Sequence, residues 1–487
     1  MGNFLEKEKG GKMVEVQRRK TKIVCTIGPA SESSQVLKSM IKAGMDVARL
    51  NFSHGTHEEH LRKIKEIRKL SDRLKKPVTI LQDLSGPKIR VGKVKEGGIG
   101  LKRGEKFILT NRRILGDERG VSVTYPSLPM EVKSGDTLLL ADGAIELQVL
   151  KSNGQDIECR VIVGGALTSN KGINFPTGTI RVSPFTKKDR EDLLFGIRNG
   201  VDMVSLSYVK DAGDIEGVKR FLKKNSALLP VIAKIERKEA LEKIDEILLS
   251  SDGIMVARGD LGVETPIEKV PNVQKMLIRK ANLLGKPVIT ATQMLRSMVD
   301  QNRPTRAEAT DVVNAIYDGT DAVMLSEETA IGRFPVETVQ MMAKISCAAE
   351  ERFPFDQFLS RETAEAAGLP QAISYAASFL SEKVKAVAIV VPTESGSTAR
   401  WVSRLRPRQP IIALSRHFST VRSLNLCWGV TPLLVSDWRD TDDMLERAKR
   451  MPKKSGLASR GDRIVIIAGV PISIPGTTNL IKVEVVE

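Results

Sequence analysis

The stretches VIAKIE (residues 231–236) and GIMVARGDLG (residues 253–262) decide the fold of this chain and mark its site. Each apolar run stops on charged residues, which indicates two buried strands separated by a helix. Lys234 and Glu236 would share one face of a strand, and Asp260 follows the second run. A lysine between two carboxylates suits a divalent metal and an anionic substrate. A surface network of salt bridges is the alternative interpretation.

The same alternation of apolar strand, loop and helix extends to both sides of this stretch. The predicted strands are KIVCTIG, DVARLNF, VTILQDL, DMVSLSYV, VIAKIE, GIMVARG, PVITAT and DAVMLSEE. Eight strands with crossover helices predict an α/β fold, a (β/α)8 TIM barrel formed by residues 21–90 and 183–352. An open doubly wound sheet is the competing fold, and the lack of GxGxxG after the first strand disfavours it.

Three further segments surround the predicted barrel. Residues 1–20 are polar and predict a mobile tail. Residues 91–182 lose helical periodicity and predict a small inserted β-barrel domain, a lid hinged at its two crossings. Residues 353–487 alternate strands with helices again, which predicts a C-terminal α/β sheet domain.

Composition narrows the possible partners. The net charge is +17, but Lys and Arg are spread along all 487 residues and aromatics make up only 4%. Stacking platforms for single-stranded nucleic acid are therefore not expected, and small polyanions fit better. No apolar run is long enough for a membrane span and none resembles a signal segment. Four widely spaced cysteines without CxxC predict reduced thiols in the cytoplasm.

Polar residues also follow the second and third predicted strands. Arg49, Asn51 and Ser53 are spaced by two, so they share a face if the strand continues. Arg49 has the forked donors that clamp a phosphate. The oxygens of Asn51, Ser53 and Asp83 suit a monovalent cation or a buried ammonium. Turn formation before the next helix is the alternative role for Asn51 and Ser53.

Three histidines follow at a spacing that could suggest a metal site. Thr56 and Glu59 form a predicted capping box, which places His57 in the first turn of a helix and His60 just beyond it. An exposed helix start therefore explains these two histidines better than metal binding does. His54 precedes the cap and could face a nucleotide.

Two other strand ends carry hydroxyls. Thr290 and Thr292 end the seventh predicted strand, where a hydroxyl can bind substrate or pass a proton, although threonine is also common in strands. In the C-terminal domain, residues 393–398 (TESGST) leave a strand and open a helix. Such a loop suits an anion, with an ordinary helix cap as the alternative. Together, the polar residues at the strand ends indicate phosphoryl transfer. The sequence has no Walker A motif, so another kind of phosphotransferase is expected.

Long motifs in order identify a family. KIVCTIGPAS, ARLNFSHG, DLSGPKIR, IAKIE, GIMVARGDLGVE, ITATQML, NRPTRAEATDV and DGTDAVMLSEETAIG resemble pyruvate kinase, and the similarity runs from Thr21 to the C-terminus. The resemblance implies that the phosphoryl group of phosphoenolpyruvate moves to ADP, giving pyruvate and ATP, the last step of glycolysis. It also implies a homotetramer.

The resemblance implies a role for each residue of the predicted site. Arg49 would bind the phosphoryl group, Lys234 would stabilise it in flight, and Thr292 would help a proton reach the enolate. Glu236 and Asp260 would hold Mg²⁺ or Mn²⁺. The substrate contacts would be Arg49, Lys234, Gly259, Asp260 and Thr292. The nucleotide contacts would be Asn51, His54, Arg90 and Lys171.

The resemblance also implies a monovalent-cation site and an effector site. The cation site corresponds to Asn51, Ser53, Asp83 and the carbonyl group of Leu84. Potassium-dependent members carry Glu where this chain has Lys88, so we expect the Lys88 ammonium to replace K⁺. The loop 393–398 resembles the phosphate pocket of sugar-phosphate-activated relatives, through Thr393, Ser395, Gly396, Ser397 and Thr398. Residues 469–478 lack Arg and Lys, so we expect a monophosphate effector, AMP or a sugar monophosphate.

Two rival functions remain open on the sequence. A Schiff-base aldolase would also use a lysine such as Lys234 on a barrel. A basic nucleic-acid-binding protein with a degenerate barrel would account for the net charge, but Arg49, Lys234, Glu236 and Asp260 together argue against degeneracy.

Overall fold

The computed structural model describes residues 19–178, 181–360, 368–471 and 476–487. Most of the predicted polar tail lies outside this range, but Arg19 and Lys20 are described and contact the barrel. Within the described residues, no helix is both long and apolar enough to cross a membrane. All four cysteines are unpaired.

The chain begins with three strands of the predicted barrel. In order, its elements are β1 (Lys22–Thr26), α1 (Ser34–Ala43), β2 (Val47–Asn51), α2 (His57–Leu74) and β3 (Thr79–Asp83). The predicted capping box is confirmed, because Thr56 and Glu59 exchange side-chain and backbone hydrogen bonds at the start of α2.

The inserted domain is all-β, as predicted. Its strands divide between a six-stranded and a two-stranded sheet instead of closing one ring, because the three-residue strands β4 and β10 pair only with each other. Near the first crossing, inside the inserted domain, the Val91 N–H donates to the Lys171 carbonyl oxygen at 2.9 Å. The elements are β4 (Ile99–Leu101), β5 (Lys106–Thr110), β6 (Gly120–Ser122), α3 (Leu128–Glu131), β7 (Thr137–Leu140), β8 (Ile145–Ser152), β9 (Asp156–Val163), β10 (Gly165–Leu167) and β11 (Ile173–Asn174).

The remaining five strands close the barrel, so the predicted fold is confirmed. The elements are α4 (Lys187–Arg198), β12 (Met203–Leu206), α5 (Ala212–Lys224), β13 (Val231–Ile235), α6 (Lys238–Glu242), α7 (Ile244–Ser250), β14 (Gly253–Ala257), α8 (Arg258–Glu264), α9 (Val270–Leu283), β15 (Val288–Ala291), α10 (Arg306–Asp318), β16 (Ala322–Leu325), α11 (Glu327–Ala330) and α12 (Pro335–Glu351). Two short 3-10 helices span Ile267–Lys269 and Arg296–Val299. The strands are parallel in the order β1-β16-β15-β14-β13-β12-β3-β2. Their apolar side chains are buried on both faces, which is typical of parallel sheets.

The C-terminal domain is a five-stranded sheet in the order β19-β18-β17-β20-β21. Only the last strand is antiparallel to its neighbour. The elements are α13 (Phe355–Ser360), α14 (Leu369–Lys383), β17 (Ala388–Pro392), α15 (Ser397–Ser403), β18 (Ile411–Ser415), α16 (Phe418–Leu424), β19 (Val430–Leu434), α17 (Thr441–Lys454), β20 (Arg463–Gly469) and β21 (Thr478–Val485).

This domain docks on the amino ends of the barrel strands. Arg406 pairs with Asp321 at 3.0 Å and is only 1% exposed. The backbone N–H of Trp428 donates to the same carboxylate, and Lys22 Nζ donates to the Val430 carbonyl oxygen. The carboxyl ends of the strands therefore face away from the C-terminal domain, toward the lid.

Candidate active site

Lys234 lies at the centre of the carboxyl-end face. Its Nζ is 2.9 Å from Glu236 Oε1 and 3.4 Å from Asp83 Oδ1. It also donates a hydrogen bond of 2.7 Å to Ser207 Oγ. Lys234 lies within β13 and Glu236 directly follows that strand, so the predicted two-residue spacing does place both side chains in one cluster.

Arg49 joins this cluster through Asp83. Its Nε donates to Asp83 Oδ2 at 2.6 Å, and its NH1 group donates to Thr26 Oγ1. Arg49, near the end of β2, and Asp83, at the end of β3, thus form a nearly buried pair on neighbouring strands. The Ser205 hydroxyl donates to the other Asp83 oxygen.

The charges in the cluster shift one another's pKa values. Burial opposes the charge on Asp83, yet Lys234 and Arg49 together hold the Asp83 pKa below its usual range. Burial also opposes the charge on Lys234, but Asp83 and Glu236 outweigh it and raise the Lys234 pKa. Burial raises the Glu236 pKa and the Asp260 charge raises it further, while Lys234 opposes both. Lys234 therefore stays cationic at neutral pH.

Glu236 and Asp260 form the pair that fits a divalent cation. Glu236 Oε2 accepts the Tyr208 N–H at 2.8 Å, and Asp260 lies in the first turn of α8. The Asp260 charge helps to raise the Glu236 pKa, and a cation beside the two carboxylates would offset this effect. The described residues hold no group of three or more His, Cys, Asp or Glu with metal-site geometry. Mg²⁺ commonly takes only one or two protein carboxylates and completes its shell with water and phosphate oxygens.

Thr292 and Gly259 are joined by a direct hydrogen bond. The Gly259 N–H donates to Thr292 Oγ1 at 2.7 Å, and the Thr292 hydroxyl donates to the Ala291 carbonyl oxygen at 2.6 Å. Thr292 follows β15 with φ at 71°. This is a strained conformation for a β-branched residue, and such strain is concentrated at functional sites.

The expectation that Thr290 would share this role is wrong. Thr290 is fully buried and its hydroxyl donates to Thr320 Oγ1 at 2.9 Å, away from the cluster. The strand stops at Ala291, and the left-handed turn at Thr292 re-aims that side chain. A simple alternation of residues along the strand therefore fails after β15.

His54 lies near three other basic side chains, beside the predicted nucleotide contacts. Burial lowers the His54 pKa, and the charges of Arg90, Lys88 and Arg49 lower it further. Arg90 donates to the Asn170 carbonyl oxygen in the lid, which brings it beside the exposed Lys171. This arrangement presents positive charge between the barrel and the lid.

His60 supports the loop that carries His54. Its ring stacks on Phe52 with centroids 3.9 Å apart. Its Nε2 lies 2.9 Å from the His54 carbonyl oxygen, so Nε2 carries the proton and donates it. His57 contacts Asp192 instead. Both histidines lie near the predicted helix start, but the expectation that this start is exposed is wrong for His60, which is buried against Phe52.

The residues assigned to the monovalent-cation site are only partly brought together. Asn51 Oδ1 accepts the Ser53 N–H at 3.1 Å, so Asn51 shapes a turn. The Leu84 carbonyl oxygen accepts the Ser207 hydroxyl at 2.7 Å. The Lys88 side chain runs beside the lid, where a Cβ on Gly172 would lie 3.2 Å from Lys88 Cε.

Sequence reasoning missed Ser205 and Ser207. Both lie at the end of β12 and hold Asp83 and Lys234 in place. Their two-residue spacing repeats the pattern of Arg49 and Asn51 and was a usable signal. Thr26, which orients Arg49, gave no such signal because it stands alone at the end of β1.

The loop at residues 393–398 uses several of its polar groups internally. Thr393 Oγ1 accepts the Gly396 N–H at 3.0 Å. Thr398 Oγ1 is hydrogen-bonded to Thr478 Oγ1 at 2.6 Å. The Ser395 hydroxyl donates to Ser397 Oγ. Of the predicted effector stretch 469–478, residues 472–475 lie outside the described residues.

Comparisons with known proteins match this chain to pyruvate kinases over most of its length. The family model for the pyruvate kinase barrel domain matches residues 18–339, and the model for the pyruvate kinase alpha/beta domain matches residues 371–484. Pyruvate kinase 2 of Synechocystis sp. is 50% identical over 473 residues, which are 96% of this chain and 80% of that protein. Pyruvate kinase of Geobacillus stearothermophilus is 48% identical over 96% of this chain and 81% of its own length.

A solved structure agrees with the fold. A pyruvate kinase from Cryptosporidium parvum superposes with a TM-score of 0.91 at 37% identity, covering 96% of both chains. Both domain matches, these identities and the closed barrel with its lysine-centred cluster lead to one conclusion: the chain belongs to the pyruvate kinase family.

Proposed function

We propose that this protein transfers the phosphoryl group of phosphoenolpyruvate to ADP and releases pyruvate and ATP. The observation that carries the proposal is the buried Lys234 ammonium, held by Asp83, Glu236 and Ser207 at the barrel mouth. Family membership supplies the substrate pair. Phosphoryl transfer depends mainly on positioning and charge neutralisation, which this cluster provides.

Arg49 and Lys234 act on the phosphoryl group. Arg49 is anchored by Asp83 and Thr26, so its guanidinium is pre-oriented for phosphoryl oxygens. Lys234 stabilises the charge of the group in flight, because the neighbouring carboxylates keep its ammonium protonated. Ser205, in β12, holds Asp83 by a hydrogen bond, and Ser207, directly after β12, holds Lys234.

Glu236 and Asp260 would hold Mg²⁺ or Mn²⁺ at the same site. When bound, the metal supplies positive charge that orients and neutralises the substrate oxygens. Glu236 is fixed for this task by the Tyr208 N–H. Gly259 and Asp260, in the first turn of α8, would contact the substrate.

Thr292 takes part in protonating the enolate that remains after transfer. Its hydroxyl gives a proton toward the methylene carbon and regains one from solvent, so the enolate becomes pyruvate. The Gly259 N–H and the strained backbone hold the hydroxyl in place for this relay.

The nucleotide binds between the barrel mouth and the lid. Asn51, His54, Arg90 and Lys171 contact it, and the surrounding cations favour its phosphates. Closure of the inserted domain (residues 91–182) over the barrel mouth then excludes water from the reaction.

Lys88 replaces K⁺ in this protein. The ammonium lies beside the lid crossing in the structure and reaches the substrate-bound site on closure. Exchanging K⁺ for a bulky organic cation should leave the rate unchanged, whereas Lys88→Glu should create a requirement for K⁺. A large loss of rate in the unsubstituted protein without K⁺ would refute this assignment.

Regulation, assembly and location complete the proposal. A monophosphate effector acts through the C-terminal domain, the protein forms a homotetramer, and it works in the cytoplasm. Titrating AMP and sugar monophosphates at subsaturating phosphoenolpyruvate tests the first point. An unchanged rate would dismiss the effector.

A coupled assay tests the reaction itself. ATP should form from phosphoenolpyruvate and ADP with Mg²⁺ present, and formation should stop when the metal is chelated. An aldolase acting through Lys234 would instead be trapped by borohydride with a carbonyl substrate and would survive chelation. A nucleic-acid-binding protein would show steeply salt-dependent binding to random DNA.

A further inference from the structure

The loop at residues 52–56 joins β2 to α2 and carries His54, one of the proposed nucleotide contacts. Residues 53–56 of this loop are exposed and belong to neither a helix nor a strand. A loop of this kind keeps one conformation only through contacts with the elements around it. Its His54 carbonyl oxygen accepts a hydrogen bond from His60, and its Phe52 carbonyl oxygen accepts one from a different helix, α4.

Lys188 of α4 supplies the second of these contacts. Its Nζ donates hydrogen bonds to the Phe52 carbonyl oxygen at 2.8 Å and to Asp192 Oδ2 at 2.6 Å. Lys188 is the second residue of α4, where the positive end of the helix dipole disfavours a cation. The contact with the loop therefore explains a lysine at this position better than helix stability does.

Asp192 connects Lys188 to the other end of the same loop. Its second oxygen, Oδ1, lies 2.8 Å from His57 Nε2, and His57 is the first residue of α2. The His57 ring also stacks on Phe195 of α4, with centroids 4.3 Å apart. Only 4% of the Asp192 side chain is exposed, so water screens these contacts weakly. One buried carboxylate is thus connected, through Lys188 and His57, to both ends of the loop.

The first turn of α4 also contacts both crossings to the lid. Thr186, on the returning crossing, forms a capping box with Asp189 and donates its N–H to Asp189 Oδ2. The other Asp189 oxygen accepts the N–H of Gly86, on the outgoing crossing, at 3.1 Å. Asp189 is fully buried. One helix therefore holds both the loop at residues 52–56 and the two chain segments to which the lid is attached.

We propose that Lys188 and Asp192 are positioning residues for the nucleotide, because they hold the loop at residues 52–56 so that His54 faces the lid contacts for ADP. The inference rests on the proposed function, which places ADP between the barrel mouth and the lid. Neither side chain is assigned a contact with ADP itself. When the loop is released, only a fraction of the molecules has His54 in place, and the apparent affinity for ADP falls by that fraction.

Hydrogen exchange followed by mass spectrometry measures the loop directly, without substrates. Lys188→Met should speed the exchange of the hydrogen-bonded amides at residues 52–54 about tenfold, because the loop loses a charge-assisted hydrogen bond. Asp192→Asn should have the same effect. Lys188→Arg should keep the slow exchange, because an arginine can donate to both acceptors.

Lys187→Met is the matched control for this measurement. It removes the same charge from the adjacent exposed position of α4, about 100° around the helix axis from Lys188. Its loop amides should exchange like those of the unsubstituted protein. Melting temperatures show that each variant is folded before the exchange rates are compared.

ADP binding and steady-state kinetics test the consequence for the reaction. Lys188→Met should weaken ADP binding, measured by calorimetry with Mg²⁺, and raise the KM for ADP, each about tenfold. The KM for phosphoenolpyruvate and kcat should stay within about twofold, because the loop is assigned to the nucleotide and not to the transferred group. Lys188→Arg and Lys187→Met should bind ADP like the unsubstituted protein.

The positioning role and the phosphoryl-transfer proposal can fail separately. The expected pattern of ADP binding without any ATP formed from phosphoenolpyruvate would refute the reaction and still support the positioning role. Unchanged loop exchange or unchanged ADP affinity in Lys188→Met would overturn the positioning role. So would an equal rise in the KM for both substrates, which indicates general damage, or an absence of ADP binding by the unsubstituted protein.

Discussion

The two ends of the barrel use buried charge in different ways. At the carboxyl end, Lys234 is shared by Asp83 and Glu236 and lies at the mouth, beneath the lid. At the amino end, Arg406 and Asp321 are sealed beneath the C-terminal domain, with further hydrogen bonds to backbone groups. One end places its charge at the open mouth of the barrel, and the other uses it to dock a domain.

The comparison shows why one set of strands can serve both purposes. Each strand contributes side chains at both of its ends, and the parallel arrangement gathers each kind of end on one face. Substitutions at the carboxyl end should therefore change the rate more than the stability. Substitutions at the amino end should do the reverse.

The largest effect is expected for Lys234→Met. Removing the ammonium between Asp83 and Glu236 should lower kcat about 10³-fold or more, as loss of comparable transition-state contacts does. The melting temperature should change little, because Asp83 keeps Arg49 and Ser205 and Glu236 can take up a proton. Steady-state kinetics and calorimetry on one preparation check both parts. Retention of most of the activity would contradict the assignment.

Arg406→Met should have the opposite signature. Breaking a buried pair leaves Asp321 unpaired and should lower the free energy of unfolding by about 3–5 kcal/mol. Arg408→Met is the matched control, because the Arg408 pair with Asp356 is largely exposed and should cost less than about 1 kcal/mol. Urea unfolding measures both. A similar decrease in the free energy of unfolding of the two variants would contradict the distinction between the buried and the exposed ion pair.

Thr292→Val tests the hydroxyl at the carboxyl end. Exchange of the pyruvate methyl protons with solvent should slow about 10²-fold, because the relay to the enolate is lost. Thr290→Val, two residues earlier and inside β15, is the control, since its hydroxyl contacts Thr320 instead. That control should keep its exchange rate. Equal slowing in both variants would argue against a specific role for Thr292.

The smallest expected effect is a pH dependence of stability that comes from Lys20, at the amino end of the barrel, in contrast to Lys234 at the carboxyl end. Carboxylates raise the Lys234 pKa, whereas burial lowers the Lys20 pKa to about 8 beside Phe355 and Trp428. Between pH 8 and 10.5 the unfolded chain binds the Lys20 proton and the folded chain does not. The stability of the unsubstituted protein relative to Lys20→Met should therefore rise with pH across this window. Urea unfolding at several pH values measures the difference, and a fall would contradict it.

Periodicity predicted much of the fold and part of the site. Apolar runs that end on charges located Lys234, Glu236 and Asp83 at strand ends, because parallel strands gather those ends at one face. The left-handed turn at Thr292 could not be predicted in this way, because the alternation of side chains between two faces holds only while the strand continues. The Arg406–Asp321 pair was also beyond it, because a one-dimensional pattern does not show which domain surfaces meet.

The central claim is that Glu236 and Asp260 hold a divalent metal beside Lys234 at the carboxyl end. Binding of Mn²⁺ in the presence of phosphoenolpyruvate, followed by electron paramagnetic resonance, tests it most directly. The unsubstituted protein should bind the ion, and Glu236→Gln and Asp260→Asn should lose most of that binding while remaining folded. Undiminished Mn²⁺ binding in both variants would contradict the account.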